Sequence, residues 1–257
     1  MIRIVLSGCN GKMGQVFTKS AAKYSDIQIV AGVDVAEGIH NPYPCYSKAE
    51  DISAAAVEAD VLVDFSHVSA LQGLLAFALS SATPVVLATT GYDDAQKVAI
   101  KAAGEKIAIF HTANMSLGVN LLVDLVQKAV EVLGDGFDVE VVERHHNQKI
   151  DAPSGTALMI ADAINETHRQ THSDELHYVY DRHSKRDKRS QKEIGMHAIR
   201  GGTIVGEHTV IFAGNDEVIE VRHSAASKEV FAEGAIRAAR FILGKGAGIY
   251  SMKDVLR

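Results

Sequence analysis

The first half of the chain alternates short β-branched runs with longer stretches rich in Ala and Leu. Apolar runs begin at Ile2, Ile27, Val61, Val85 and Ile107, each of strand length and each separated from the next by a segment of helical period. Strands alternating with helices predict a parallel sheet, because right-handed crossovers place helices on both faces. Ligands of such sheets bind outside the carboxyl ends of the strands. The loops at those ends read Ser7-Gly8-Cys9-Asn10-Gly11, Val33-Asp34, Asp64-Phe65-Ser66, Thr89-Thr90-Gly91 and His111-Thr112-Ala113-Asn114. All are small or polar, which suits a binding edge.

Beyond Asn114 the pattern changes. A helical period covers about residues 118–133, an extended run covers 137–143, and a long loop then carries the densest chemistry in the chain. Another helix starts at Gly155. Alternating runs at 193–200, 203–212 and 217–223 are separated by Gly201-Gly202 and Gly214-Asn215-Asp216, a spacing that predicts an antiparallel meander. The last helical segment, 227–243, is expected to return to the first domain. The predicted class is α/β. An N-terminal Rossmann-type parallel sheet fills residues 1–115, with 227–257 packing back on it. A C-terminal α+β domain, 116–226, is built on a mixed, largely open sheet. The joints near Asn114 and Ala226 are candidate hinges.

Length and composition narrow the possibilities. The 257 residues are 47% hydrophobic and 23% charged, with a formal net charge of −6, so a packed protein is expected and nothing global attracts nucleic acid or an anionic membrane. A small anionic ligand at a locally basic site remains compatible with this charge. Cys9 and Cys45 have neither zinc-ligand spacing nor the density of a disulfide framework, which suits a reducing compartment and predicts a cytoplasmic protein. The apolar start at Ile2 is too short for a signal peptide, and no apolar stretch approaches a membrane span. The one strong charge run, 182–192, holds six Lys or Arg. A solvated loop is its favoured reading over a phosphate- or substrate-facing role.

Gly8, Gly11 and Gly14 recur every three residues between the first strand and the first helix. Alone, this GxxGxxG pattern also fits a plain tight turn. Asp34, at the end of the second strand and twenty residues after Gly14, changes the balance. A carboxylate there accepts hydrogen bonds from ribose hydroxyls, while glycines and a helix N-terminus hold a pyrophosphate. Together they predict a dinucleotide site. Cys9 lies inside the glycine loop, where helix N-termini lower thiol pKa values, but backbone binding of phosphate is the reading favoured over a catalytic thiol. Cys45 reads as a passive side chain.

Residues 143–157 read Glu-Arg-His-His-Asn-Gln-Lys-Ile-Asp-Ala-Pro-Ser-Gly-Thr-Ala, two imidazoles, an ammonium and a helix start in fifteen positions. Imidazole donates protons near neutral pH, Lys149 supplies positive charge, and N–H groups at Gly155 and Thr156 can hold a carboxylate. The ligand predicted is a small polycarboxylate. Pro153 suits the first turn of that helix, and Ser154 or Thr156 can cap it. Adjacent residues on extended backbone point to opposite sides, so His145 and His146 make a poor chelate, and no metal is expected.

At this point the chain resembles the bacterial dihydrodipicolinate reductase family over essentially its full length. The resemblance rests on the glycine start, Thr89-Thr90-Gly91-Tyr92, Ala113-Asn114-Met115-Ser116, the HHxxKxDAPSGTA block, Val205-Gly206-Glu207-His208-Thr209 and the closing Met252-Lys253-Asp254-Val255-Leu256. It implies NAD(P)H-dependent reduction of 4-hydroxy-tetrahydrodipicolinate in lysine biosynthesis, by a homotetramer. It places pyrophosphate on Gly8, Cys9, Asn10, Gly11, Lys12 and Met13, ribose at Asp34, and nicotinamide at Ala88, Thr89, Thr90, Thr112, Ala113, Asn114 and Met115. His145 matches the catalytic acid/base and Lys149 a second proton donor, with His146, Gly155 and Thr156 as substrate contacts. The chain has Ala88 where family members often have Gly, and Met115 where they often have an aromatic. Val35 stands where users of NADPH often place Arg, so NADH is the favoured cofactor and NADPH the second. Competing readings are an aspartate dehydrogenase-like enzyme, which would lack the HHxxKxDAPSGTA block, and a silent nucleotide sensor, which would lack His145 or Lys149.

Overall fold

The computed structural model describes residues 1–173, 175–184 and 186–257. Lys185, within the basic run at 182–192, lies outside them. The chain divides into two compact units, residues 1–117 with 228–257 and residues 118–227.

The first unit opens with β1 (Ile2–Ser7), α1 (Lys12–Ala21), β2 (Ile27–Val33) and the two-residue β3 (Cys45–Tyr46). Then come α2 (Ala49–Ala54), β4 (Val61–Asp64), α3 (Leu71–Ser81), β5 (Val85–Leu87), α4 (Asp94–Gly104) and β6 (Ala108–His111). Hydrogen-bonded neighbours run β6-β5-β4-β1-β2-β3, all parallel. Every residue of β4 and β5 is buried, because helices covering both faces leave no solvated side and select unbroken apolar runs. The strand order reverses at β1, which has β2 on one side and β4 on the other. The loops after β1 and β4 therefore diverge and open a crevice at the carboxyl edge.

The second unit holds α5 (Leu117–Leu133), β7 (Asp138–His145), α6 (Gly155–His172) and β8 (His177–Val179), followed by β9 (Glu193–Arg200), β10 (Gly206–Ala213) and β11 (Val218–Ala225). Its sheet runs β11-β10-β7-β9-β8. Here the predicted meander needs correction. β10 and β11 form the antiparallel hairpin, but β7 lies between β9 and β10, parallel to the first and antiparallel to the second. Turn residues specify that the chain reverses, not which strand becomes its neighbour. The Gly201-Gly202 segment bonds to the end of β7 instead, with Gly201 N donating to His145 O and Asn147 N to Gly202 O. Along β7, alternate residues Val139, Val141, Glu143 and His145 are buried, facing α5 and α6 with Val126, Ile160 and Ile164.

The chain then returns to the first unit through α7 (Glu229–Ile242), β12 (Gly248–Tyr250) and α8 (Met252–Leu256). β12 adds a parallel strand beside β6. α7 buries Ala235, Ile236, Ala239 and Ile242 in one cluster with Ile4, Leu6 and Phe110. A Cβ on Gly234 would stand 1.7 Å from Met115 O, so only glycine lets α7 approach so closely. Among the described residues, no helix is long and apolar enough to cross a membrane.

The basic run does more than face water. Arg189, with 16% of its side chain exposed, bonds Glu140 at 2.9 Å and Asp138 at 2.7 Å and donates to the carbonyls of Val139 and Glu193. Arg182 pairs with Glu193 at 2.9 Å. These two cations clamp the starts of β7 and β9, so the solvated-loop reading fails for them.

Candidate active site

In the first unit, the glycine pattern has a steric cause. Gly8 takes φ +74°, and a Cβ there would meet the Phe65 carbonyl carbon at 2.6 Å; a Cβ on Gly14 would meet Gly8 O at 2.1 Å. Side chains at these positions would push the loop off the sheet. α1 starts at Lys12 with Gly11 as its N-cap, so its first-turn N–H groups have no partner within the helix. Asp34 follows β2 and accepts from Asn10 N at 2.8 Å and Ala36 N at 2.9 Å. Each carboxylate oxygen keeps a second lone pair for a further donor.

Two cavities lie along this edge. One, of about 530 Å³, is lined by Gly8, Gly11, Asp34, Val35 and Lys48 among others. The second, of about 340 Å³, is lined by Met13, Ala88, Thr89 and Thr90. Phe65, Ser66 and His67 border both. This arrangement gathers seven of the fourteen predicted nucleotide residues, Gly8, Gly11, Met13, Asp34, Ala88, Thr89 and Thr90, but Cys9 and Met115 are buried in the core. Their side chains turn inward, leaving only backbone for a ligand. Asn10, Lys12, Thr112, Ala113 and Asn114 line neither cavity. Lys48 and His67 went unnoticed in the sequence, because Lys48 follows an edge strand of only two residues.

In the second unit the chemistry converges on the end of β7. His145 is 8% exposed, and its Nδ1 lies 2.5 Å from Glu143 Oε2. Glu143, 1% exposed, also receives two bonds from Arg200, each 2.8 Å, and one from Ser154 N at 3.0 Å. Burial alone pushes a carboxyl pKa up, but Arg200, His145 and the Ser154 N–H together hold that of Glu143 below its ordinary value. The carboxylate on Nδ1 orients the ring and leaves Nε2 as the nitrogen turned away from that bond. Gly206 keeps that nitrogen uncrowded, since a Cβ there would come within 3.0 Å of it.

Ser154 is the N-cap of α6, its Oγ accepting from Ala157 N at 3.2 Å. Pro153 therefore precedes the cap, correcting its predicted place in the first turn. The cap hydroxyl also lies 3.2 Å from His208 Nε2. Burial, then the neighbouring His145, pushes His208 down to about 4, so it is neutral at pH 7 and shares one hydrogen bond with the Ser154 hydroxyl. Lys149 Nζ stands 2.8 Å from Asp151 Oδ1. The Asp151 carboxyl is held below its usual range by Lys149 first and by the Gly155 N–H among lesser causes. The chain's own carboxylate thus occupies the charge environment predicted for a ligand carboxylate. The Nδ1 of His146 is buried with no protein partner among the described residues.

Comparison with known proteins decides the family. The models for the N-terminus and the C-terminus of dihydrodipicolinate reductase match residues 2–115 and 118–256. The chain belongs to the dihydrodipicolinate reductase family. It is 49% identical, over 100% of its length and 99% of the relative's, to 4-hydroxy-tetrahydrodipicolinate reductase of Caldanaerobacter subterraneus subsp. tengcongensis. The enzyme of the same name from Clostridium tetani is 45% identical, with 100% and 97% covered. Dipicolinate-bound dihydrodipicolinate reductase from Paenisporosarcina sp. TG-14 has the same fold, with a TM-score of 0.81 at 22% identity over 99% of both chains.

The family uses NAD(P)H. Glu143, Arg200 and His208 were not singled out from the sequence. A period-two reading of 137–145 could have found Glu143, which shares the buried face with His145, whereas Arg200 reaches the site only through the pairing of β9 with β7.

Proposed function

We propose that this chain reduces 4-hydroxy-tetrahydrodipicolinate to tetrahydrodipicolinate, with loss of water, in the diaminopimelate route to lysine. The observation that carries the reading is the placement of His145 between Glu143 on Nδ1 and an open Nε2, in a loop shared with Lys149 and the start of α6. The first unit serves as the nucleotide domain and the second as the substrate domain. When bound, the reduced nicotinamide supplies a hydride. Gly8, Gly11 and the start of α1 hold its pyrophosphate, Asp34 a ribose, and Met13, Ala88, Thr89 and Thr90 the far end. The backbone from Thr112 to Met115 completes that end.

The second unit handles anions and protons. Lys149, His146 and the N–H groups of Gly155 and Thr156 receive the substrate carboxylates, with Asp151 giving way to one of them. Negative charge brought beside His145 and Lys149 favours their protonated forms. After water is lost and the conjugated carbon is reduced, His145 delivers its Nε2 proton to the adjacent carbon, with Lys149 as second donor. NADH is favoured over NADPH. The site is cytoplasmic, and the assembly is a homotetramer built through the open face of the second sheet, where Ile199 and Val218 are exposed; sedimentation velocity tests that state.

A coupled assay tests the activity: pyruvate, aspartate semialdehyde and the preceding synthase are supplied, and NAD(P)H absorbance is followed. Oxidation that depends on all components is expected. No oxidation above background removes the reading.

A further inference from the structure

Beneath the glycine loop, Cys9 Sγ lies 3.9 Å from Cys45 Sγ. Cys9 is buried and Cys45 exposed. The surroundings are fitted to sulfur. A Cβ on Gly32 would stand 2.6 Å from Cys9 Sγ, so glycine at that position provides the room the thiol occupies. Asn41, itself 8% exposed, points its amide nitrogen at Cys45 Sγ at 3.2 Å and at Cys9 Sγ at 3.9 Å. The same amide bonds Asn10 Oδ1 at 2.7 Å, so Asn41 is fixed against both sulfurs.

We propose that Cys9 and Cys45 form a reversible disulfide that weakens nucleotide binding in the first unit. The oxidant is a low-molecular-weight disulfide. The exposed Cys45 thiolate attacks one of its sulfurs, forming a mixed disulfide and expelling one small thiol. Cys9 then loses its proton, attacks Cys45 Sγ and expels the second small thiol. Two protein thiols are oxidised by two electrons, and one small disulfide is reduced to two thiols. Burial pushes the Cys9 thiol up to about 12, which assigns the first attack to Cys45 and makes closure by Cys9 the slower step.

The mechanical consequence follows from which sulfur can move. Closing 3.9 Å to a bond of about 2.05 Å requires one side to shift. The Cys9 backbone is fixed: a Cβ on Gly14 would sit 2.7 Å from Cys9 Cα, and Gln15 donates to Cys9 O at 2.8 Å. β3 is short, ends the sheet and pairs only with Gly32 and Val33. It is the mobile partner, and it leads directly to Ser47 and Lys48 on the wall of the cavity that holds Asp34. Tyr46 O also accepts the Asp34 N–H. Drawing Cys45 inward therefore shifts the wall and carboxylate assigned above to the ribose.

This inference rests on the nucleotide reading, and the test separates the two. The full-length protein is treated with oxidised glutathione, its intact mass and linked peptides are determined, and NADH affinity is measured before and after. Loss of two hydrogens, a peptide joining Cys9 to Cys45, an NADH affinity lowered by roughly tenfold, and recovery with dithiothreitol are expected. By linkage, saturating NADH should make the pair harder to oxidise by the same factor. Cys45→Ser should bind NADH like the unmodified chain and ignore oxidised glutathione. Three outcomes overturn the proposal: no mass change, glutathione retained on Cys45 without closure, or a closed disulfide with unchanged NADH affinity. A reduced protein that fails to bind NADH refutes the nucleotide reading instead.

Discussion

Each unit buries one carboxylate at the end of a strand, and the two are held in opposite ways. Asp64, 1% exposed at the end of β4, accepts from Ser66 N at 3.0 Å, Thr89 Oγ1 at 2.7 Å and Tyr92 OH at 3.4 Å. Every one of these donors is uncharged. Glu143, near the end of β7, is held by Arg200 and by the imidazole of His145. Neutral donors fix a loop without responding to pH, so Asp64 ties residues 64–66 to residues 89–92 and shapes the rim of the crevice. A carboxylate bonded to a guanidinium and an imidazole instead orients groups that carry or accept charge. The first carboxylate thus shapes a rim, and the second gathers charged groups.

The largest test of that contrast removes the proposed proton donors. His145→Gln and Lys149→Ala are each expected to lower kcat by roughly a hundredfold or more while leaving NADH affinity nearly intact, since positioned acid–base groups supply factors of that size. Steady-state kinetics and nucleotide titration read the two quantities separately. Lost nucleotide affinity with normal turnover would reverse the assignment of the units.

Acid should weaken the second unit through His208. Its folded pKa is depressed to about 4 from 6.5, so between those values the unfolded chain binds a proton that the folded chain refuses. The contribution is complete above pH 6.5 and is lost as pH falls toward 4. At about pH 5 the loss is roughly 2 kcal/mol. His223 and His111, also depressed by burial, add losses of the same sign, so the comparison must be with His208→Gln. Urea unfolding from pH 7 to pH 5 should fall more steeply for the unmodified chain than for the variant. Equal slopes would show that His208 is not the buried neutral group.

Much of this was legible in the sequence because it is local. Parallel strands appear as unbroken apolar runs, and the glycine loop and the block at 143–157 are contiguous, so the pattern names most of their residues. What stayed hidden depends on pairing across the chain. The place of β7 between β9 and β10 needs the sheet order, and Arg200 reaches Glu143 across 57 positions. Lys48 enters the cavity only because β3 pairs with β2. Met115 shows a different limit, since its side chain belongs to the core and only its backbone is left for a ligand, a distinction the motif does not carry.

A matched pair of isosteric changes sharpens the contrast at the carboxylates themselves. Glu143→Gln keeps shape and removes the carboxylate that orients the His145 ring, so kcat should fall about tenfold with NADH affinity nearly unchanged. Asp64→Asn should weaken NADH binding and leave kcat at saturating NADH nearly unchanged. Steady-state kinetics beside nucleotide titration is the decisive readout, because a general structural defect would move both quantities in both variants.

The smallest expected effect concerns the choice between nucleotides, where a charge is added to the unit whose buried carboxylate shapes a rim. On the proposed reading Asp34 bonds two ribose hydroxyls and a 2′-phosphate would meet like charge there, while Val35, 88% exposed beside it, offers no cation. NADH should therefore have the higher kcat/KM. The sequence suggests Lys12 as the nearest compensating charge, but Lys48 is the cation that lines the cavity with Asp34 and Val35. Residual use of NADPH should depend on Lys48. Val35→Arg should raise kcat/KM for NADPH several-fold, because a planar guanidinium can bond a phosphate through two nitrogens where a lysine offers a single charge. Lys48→Ala should lower it for NADPH alone, and Lys12→Ala should lower it little. The four proteins are compared with both nucleotides at one ionic strength, since salt screens an exposed charge pair of this kind. If Lys12→Ala removes the use of NADPH and Lys48→Ala does not, the phosphate lies at the start of α1 and the cavity wall does not select the nucleotide.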